Sequence, residues 1–273
     1  MRFASPRLAL TTLFTLLLVL PPLSAAHAQM VVPDTFKNLK VLPRNITKDQ
    51  LLATMRSFSQ GLGVRCDYCH AEKEGQPAQA AAPSAGPGRP PQLDFASDRK
   101  DQKRIARGML KMVKGINDQY LAKIKELADT AEVGPRVQVH CVTCHHGVAL
   151  PQPLSDVLAE DVSTKGTAAA VKHYQQLKTQ YYGSGAYDFR EGSLDAVATQ
   201  LTADKRPDDA LAILDLAAQE FPQSGFVPFL QGEALLQKGD KAGALAKYQH
   251  ALELQPRNEA ARRRIAELQG TGQ

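Results

Sequence analysis

All four cysteines of the chain fall into two copies of one arrangement, Cys66-Asp67-Tyr68-Cys69-His70 and Cys141-Val142-Thr143-Cys144-His145. Two thiols separated by two residues and followed by histidine form the attachment signature of a c-type haem. The chemistry needs that spacing. The two thiols add across the two vinyl groups of one porphyrin, and the histidine is then held beneath the iron as its proximal ligand. Two disulfides would suit cysteines in an exported chain, and paired Cys-x-x-Cys segments are also a zinc signature. Neither explains why histidine follows both pairs. The expected cofactors are therefore two covalent haem c groups, one on Cys66 and Cys69 with His70, the other on Cys141 and Cys144 with His145.

Haem of this type implies export, and the N-terminus reads accordingly. Arg2 and Arg7 precede an uncharged apolar run from Leu8 to Leu20, and Ala26-His27-Ala28 supplies small residues at a cleavage site. Residues 1–28 are read as a secretory signal peptide. The apolar run is shorter than the roughly 20 residues a membrane span requires, so retention as an anchor is the weaker reading. The expected location is the periplasm, with association at the outer face of the inner membrane as a variant. The full chain carries 33 basic and 28 acidic residues, a net +5. Loss of residues 1–28 removes two of the basic residues and leaves +3, a balance that argues for no nucleic acid partner.

The expected fold is all-α, a small dihaem domain followed by an array of helical hairpins. In the first part, 29–153, Thr47 and Gln50 form a capping box. Leu51, Met55, Phe58 and Leu62 then mark one helix face, and Gly61 and Gly63 end the helix before Cys66. Residues 71–92, rich in Ala, Pro, Gly and Gln, read as a flexible loop. Ile105, Met109, Met112, Val113, Ile116, Tyr120, Ile124 and Leu127 predict one long amphipathic helix over 99–128. A loop through Gly134 and Pro135 leads to Cys141. Each half thus places a helix and a short connection before its Cys-x-x-Cys-His.

Beyond 153 the haem signals stop. Residues 154–190 read as a connecting, capping helix, its helical part over about 165–181. Over 191–270 there is an internal repeat: Ala210, Ala217 and Pro222 return 34 residues later as Ala244, Ala251 and Pro256, and Leu214 returns as Tyr248. Gly232 corresponds to Ala198. That period is the tetratricopeptide period, a helix–turn–helix unit. Two such repeats with a last capping helix over about 258–268 are predicted. The bland alternative is an ordinary helical bundle.

The sixth iron ligand decides whether an attached haem is closed for electron transfer or open to small molecules. Methionine is one choice and raises the potential. Behind the signal the chain holds Met30, Met55, Met109 and Met112. Met55 lies on the helix before the first motif, and Met109 and Met112 share a face of the helix before the second. Core packing is the competing explanation for each. His140 and His146 sit too near His145 along the chain to reach the opposite haem face, and His173 and His250 read as surface residues. A bis-histidine second haem is the alternative ligation. The sequon Asn45-Ile46-Thr47 reads as the start of a helix cap.

Several pieces together resemble a known family. They are Asn38-Leu39-Lys40-Val41-Leu42, Met55 ahead of Cys66–His70, Ala106-Arg107-Gly108-Met109-Leu110-Lys111-Met112, Ile116-Asn117, and Cys141–His145 with Gly147 and Pro151. From about Asn38 to Pro153 the sequence resembles the cytochrome c subunit of photosynthetic reaction centres. The resemblance implies Met55 as sixth ligand of the first haem and Met109 as that of the second, with Met112 packing on the haem. It implies electron transfer along a chain of haems. That family carries four haems and lacks the repeats, whereas this sequence has motifs for two and ends in repeats. The expectation is a dihaem electron carrier, not an enzyme. Its partners are a redox protein or a membrane respiratory or photosynthetic complex, and the repeats serve as a protein-docking module. The alternatives are a dihaem peroxidase, which needs an open iron, and a haem-containing scaffold or sensor acting through its repeats.

Overall fold

The computed structural model describes residues 32–75, 92–127 and 137–270. The signal segment at 1–28, the middle of the expected loop at 71–92 and the connection through Gly134 and Pro135 lie outside the described residues. The fold is all-α, with one two-residue antiparallel pairing as its sole sheet among the described residues.

Helix α1 spans Lys48–Leu62. The Thr47 hydroxyl accepts from the Gln50 backbone N–H, and the Gln50 side chain accepts from the Thr47 N–H. This satisfies two of the donors that a helix start leaves orphaned. Gly63 ends the helix in the left-handed conformation, and the single turn α2, Cys66–Cys69, follows at once. Residues 71–92 are not all loop. β1, Ala71–Glu72, pairs with β2, Leu93–Asp94, and Lys73 donates to the Gln92 carbonyl. The insertion leaves and returns at one point, so its length is tolerated at small entropic cost.

The long helix expected over 99–128 is interrupted. α3 is regular over Asp101–Gly115. A π-turn follows at Ile116–Tyr120, then 3-10 turns at Leu121–Lys123 and Lys125–Leu127. Apolar residues recur every three to four positions through all three helix types, so spacing alone does not separate them. The break lies where the Asn117 side chain leaves the helix to bind another segment. α4, Cys141–His145, carries the second motif.

The rest of the chain is a stack of antiparallel hairpins. They are α5 (Leu154–Thr164) with α6 (Thr167–Tyr181), α7 (Glu191–Ala203) with α8 (Pro207–Glu220), and α9 (Phe226–Gln237) with α10 (Lys241–Leu254), closed by α11 (Glu259–Gly270). α5 packs beside α7 and α7 beside α9, while α6 packs beside α8. The repeat positions read from sequence form the core: Ala210, Leu214, Ala217, Ala244, Tyr248 and Ala251 are fully buried. Gly232 lies against the Tyr248 ring, where a Cβ would come within 2.4 Å of Cε1. The connecting segment 154–190 holds two helices rather than one. Ala170 and Tyr174 of α6 are buried like Ala210 and Leu214 of α8, but 40 residues earlier rather than 34. That offset hides the third hairpin from a search at the repeat's own period.

Candidate haem-attachment site

The two motif turns are held against each other through the end of α1. Gly61 approaches α4 so closely that a Cβ would meet the Val142 nitrogen at 3.1 Å and the Cys141 Cβ at 3.2 Å. The Gly147 N–H donates to the Gly61 carbonyl at 3.0 Å. At Gly63 a Cβ would overlap the Gly147 carbonyl. Glycine is required there for its positive φ and for the approach of one backbone to another.

α3 spans both motifs. At its start the Lys100 ammonium donates to the Asp67 carbonyl in the first motif. At its end Asn117 binds Val139, two residues before Cys141: Nδ2 donates to the Val139 carbonyl at 2.9 Å and Oδ1 accepts from its N–H at 2.8 Å. The side of α3 is tied to the segment ahead of α1 by Asp98. That carboxylate accepts from Arg107 and Asn38, each at 2.8 Å, and from Lys40 at 2.7 Å. Arg107, Lys40 and Asn38 hold it far below the usual carboxylate range. Lys103 lies 3.4 Å from the same carboxylate, and its ammonium donates to the carbonyls of Phe95 and Ser97. Burial lowers its pKa.

The two histidine rings are held differently. His145 Nδ1 lies 2.9 Å from the Val148 carbonyl. A carbonyl only accepts, so Nδ1 donates to it, the bond by which ligating histidines are commonly oriented. His70 packs edge-to-face on Phe95. Burial, with Lys103 and Arg107 nearby, lowers its pKa to about 4, so the ring is neutral at physiological pH. Its Nδ1 is buried without a hydrogen-bond partner among the described residues. All four cysteines are free thiols, and burial raises the pKa of Cys69 and Cys141. No group of three or more His, Cys, Asp or Glu side chains among the described residues is placed to share a metal ion. Among the described residues the four cysteines are neither paired in disulfides nor gathered into one four-cysteine cluster.

The methionines lie on the helices that bracket these turns. Met55 is half-buried on α1. On α3, Ile105, Met109 and Met112 form a stripe that is 57%, 44% and 50% exposed, and no residue of α3 is buried. Before residue 154 the buried residues, among those described, are Leu51, Gly61, Ala71, Leu93 and Val148. Folded chains rarely leave a helix this amphipathic without an apolar neighbour. A porphyrin fits such a face, and the thiols and imidazoles suit its vinyls and its iron.

The model of the photosynthetic reaction centre cytochrome c subunit family matches residues 78–196. This stretch, a little under half of the chain, is similar to that family. The reaction-centre cytochrome stretch contains Met109, Met112, the whole second motif, α5, α6 and the start of α7. It begins eight residues after His70, so Met55 and the first motif precede it. It also crosses the boundary expected at 153. The family is one of cytochromes, so the match suggests covalent haem c and cytochrome-type electron transfer. Asn117 and its bond to Val139 had a trace in sequence only as part of the family resemblance. His173, expected at the surface, is half-buried and pairs with Asp161, which also binds Lys165 at 2.7 Å. It lines a cleft between Gly63, Val148 and the array residues Val157, Tyr181 and Tyr187.

Proposed function

We propose that the protein is an exported dihaem c-type cytochrome, an electron carrier with two closed irons. Cys66, Cys69 and His70 hold the first haem with Met55 as its sixth ligand, and Cys141, Cys144 and His145 hold the second with Met109. When bound, each haem supplies a one-electron iron couple tuned by its axial ligands. The residues do the rest. The Val148 carbonyl fixes the ring of His145, Phe95 orients His70, and α3 lays an apolar wall along the attachment sites. The observation that carries this reading is the open apolar face of α3 between two free-thiol motif turns. The chain's location is taken to be the periplasm, and the hairpin array is read as tetratricopeptide-like, a scaffold for docking a redox partner or a membrane complex.

The test is a haem count by alkaline pyridine spectra with an optical and magnetic redox titration of the intact protein. Two haems per chain, both low-spin with methionine ligation, are expected. One haem or none, or a high-spin ferric haem that turns over peroxide, overturns the reading.

A further inference from the structure

The two motifs sit in different electrostatic settings. Lys100 reaches from the start of α3 to the Asp67 carbonyl, between the two cysteines of the first motif. Lys103, one turn on, donates to the carbonyls of Phe95 and Ser97 at 2.8 and 2.7 Å, and the Phe95 ring packs on His70. Arg107 follows after another turn, 2.8 Å from Asp98. The side chains of Lys103 and Arg107 are only 12% and 16% exposed. All three cations act on the His70 ring as nearby positive charges. Against them stand two carboxylates, Asp98, which also takes Lys40, and Asp94, whose Oδ1 accepts from the N–H groups of Ala96 and Ser97. Arg65 pairs with Asp67, Arg99 with Glu74 and Arg104 with Asp101, and these pairs cancel. The second motif is set otherwise. Residues 137–153 contain no Lys, Arg, Asp or Glu, nor do residues 57–64 at the end of α1, which meet α4 through Gly61. Across the cleft Asp161 is paired with Lys165 and His173. Lys114, near the Asn117 tie, pairs with Asp118, and Lys111 is exposed, where salt screens it. α3 adds to the contrast. It starts against the first motif and reaches the second near its far end, so the positive end of its backbone dipole lies by the first.

We propose that Lys100, Lys103 and Arg107 make the first site the one of higher potential, so that an electron entering at the second motif comes to rest at the first. The proposal rests on the electron-carrier reading above. In that reading both irons have the same pair of axial ligands, so ligand identity does not rank them. The surrounding charge does. Reduction adds one negative charge at an iron. A fixed cation nearby stabilises the reduced form, and a buried cation is little screened. The step moves one electron: iron(II) at the second site becomes iron(III), and iron(III) at the first becomes iron(II). No bond breaks and no proton moves. The molecule thus has a direction, with a donor served at the second motif and an acceptor at the first.

The test is an optical redox titration of the full-length holoprotein, after a haem count by alkaline pyridine spectra. Cys69→Ser leaves the first haem on one thioether with one vinyl still conjugated, which shifts its band and marks it. The marked haem is expected to have the higher potential. Lys100→Gln is expected to lower that potential by about 59 mV, a tenfold change in its reduction equilibrium, and to move the other by about twofold or less. Lys100→Arg, which keeps the charge, and Lys172→Gln, on the array, leave both unchanged. Circular dichroism of each variant confirms folding. A lower potential at the marked haem overturns the proposal, as do unmoved potentials in Lys100→Gln. An equal shift in Lys100→Arg also overturns it and assigns the effect to packing rather than charge. A haem count other than two removes the electron-carrier reading and the proposal with it, whereas two haems in the reverse order remove the proposal alone.

Discussion

At the scale of single residues, Asn117 and the methionines separate positioning from ligation. The two hydrogen bonds from Asn117 to Val139 join the helix that bears Met109 to the chain two residues before Cys141. Asn117→Ala removes both, at about 1–2 kcal/mol. We predict that it shifts the potential of one haem and leaves the other in place, read by redox titration. Met55→Ala and Met109→Ala should each change the spin state of one haem, while Met112→Ala leaves both low-spin. A perturbed spectrum in Met112→Ala with none in Met109→Ala would move the second ligand one turn along α3. Asp195 carries a prediction of another kind. It is buried on α7, and one carboxylate oxygen has no partner. Burial, reinforced by Glu191, raises its pKa to about 7. A carboxyl that is neutral in the fold and ionised in the unfolded chain makes stability fall as pH rises from the unfolded value toward the folded one. Between pH 5 and pH 8 the loss should be about 2 kcal/mol, and Asp195→Asn should flatten it in thermal melts.

At the scale of elements, the repeat was the most legible part of the sequence. The pairs Ala210/Ala244, Leu214/Tyr248 and Ala217/Ala251 are buried where two helices meet, and small residues at such points leave the alphabet little freedom. The Thr47–Gln50 box was legible for a similar reason, since few residue types satisfy a helix start. α3 was legible as a helix but not in its ending, because a switch from α to π turns changes hydrogen bonds without changing apolar spacing. The third hairpin escaped notice because its core positions are 40 residues from the next set. At the attachment site the cysteines and histidines stood out by spacing. The clasp of Gly61 and Gly63 on Gly147 did not, since glycine in sequence does not say which backbone it admits. The array offers a direct check. Gly232→Val has no room against Tyr248 and should cost about 2–3 kcal/mol. Tyr248→Ala should cost about 3–5 kcal/mol, because it empties a fully buried site and leaves Glu233 without its 2.6 Å bond to the phenol. Chemical denaturation of the array followed by circular dichroism measures both.

At the scale of the whole molecule, the two regions are built on different principles. The array has a continuous side-chain core from Leu154 to Ala234 and a second one around Tyr248. The region before it has five buried residues among those described and gathers its motifs around surfaces suited to a large apolar group. A group bound only by the folded state adds its binding free energy to stability. Residues 30–150 expressed without haem should therefore show little helix by circular dichroism, while 154–270 melts cooperatively with or without it. The two regions meet where the His146 ring lies 3.3 Å from the position of a Cβ on Gly185. Gly185 belongs to the connector Tyr182–Arg190, nine residues long, where the next hairpin uses the five of Phe221–Gly225. The four surplus residues account for most of the offset of 40 in place of 34, and one extra residue in each of α6 and α7, against α8 and α9, makes up the rest. The connector is thus the place where the stack departs from its own period, and it does so at the joint with its neighbour.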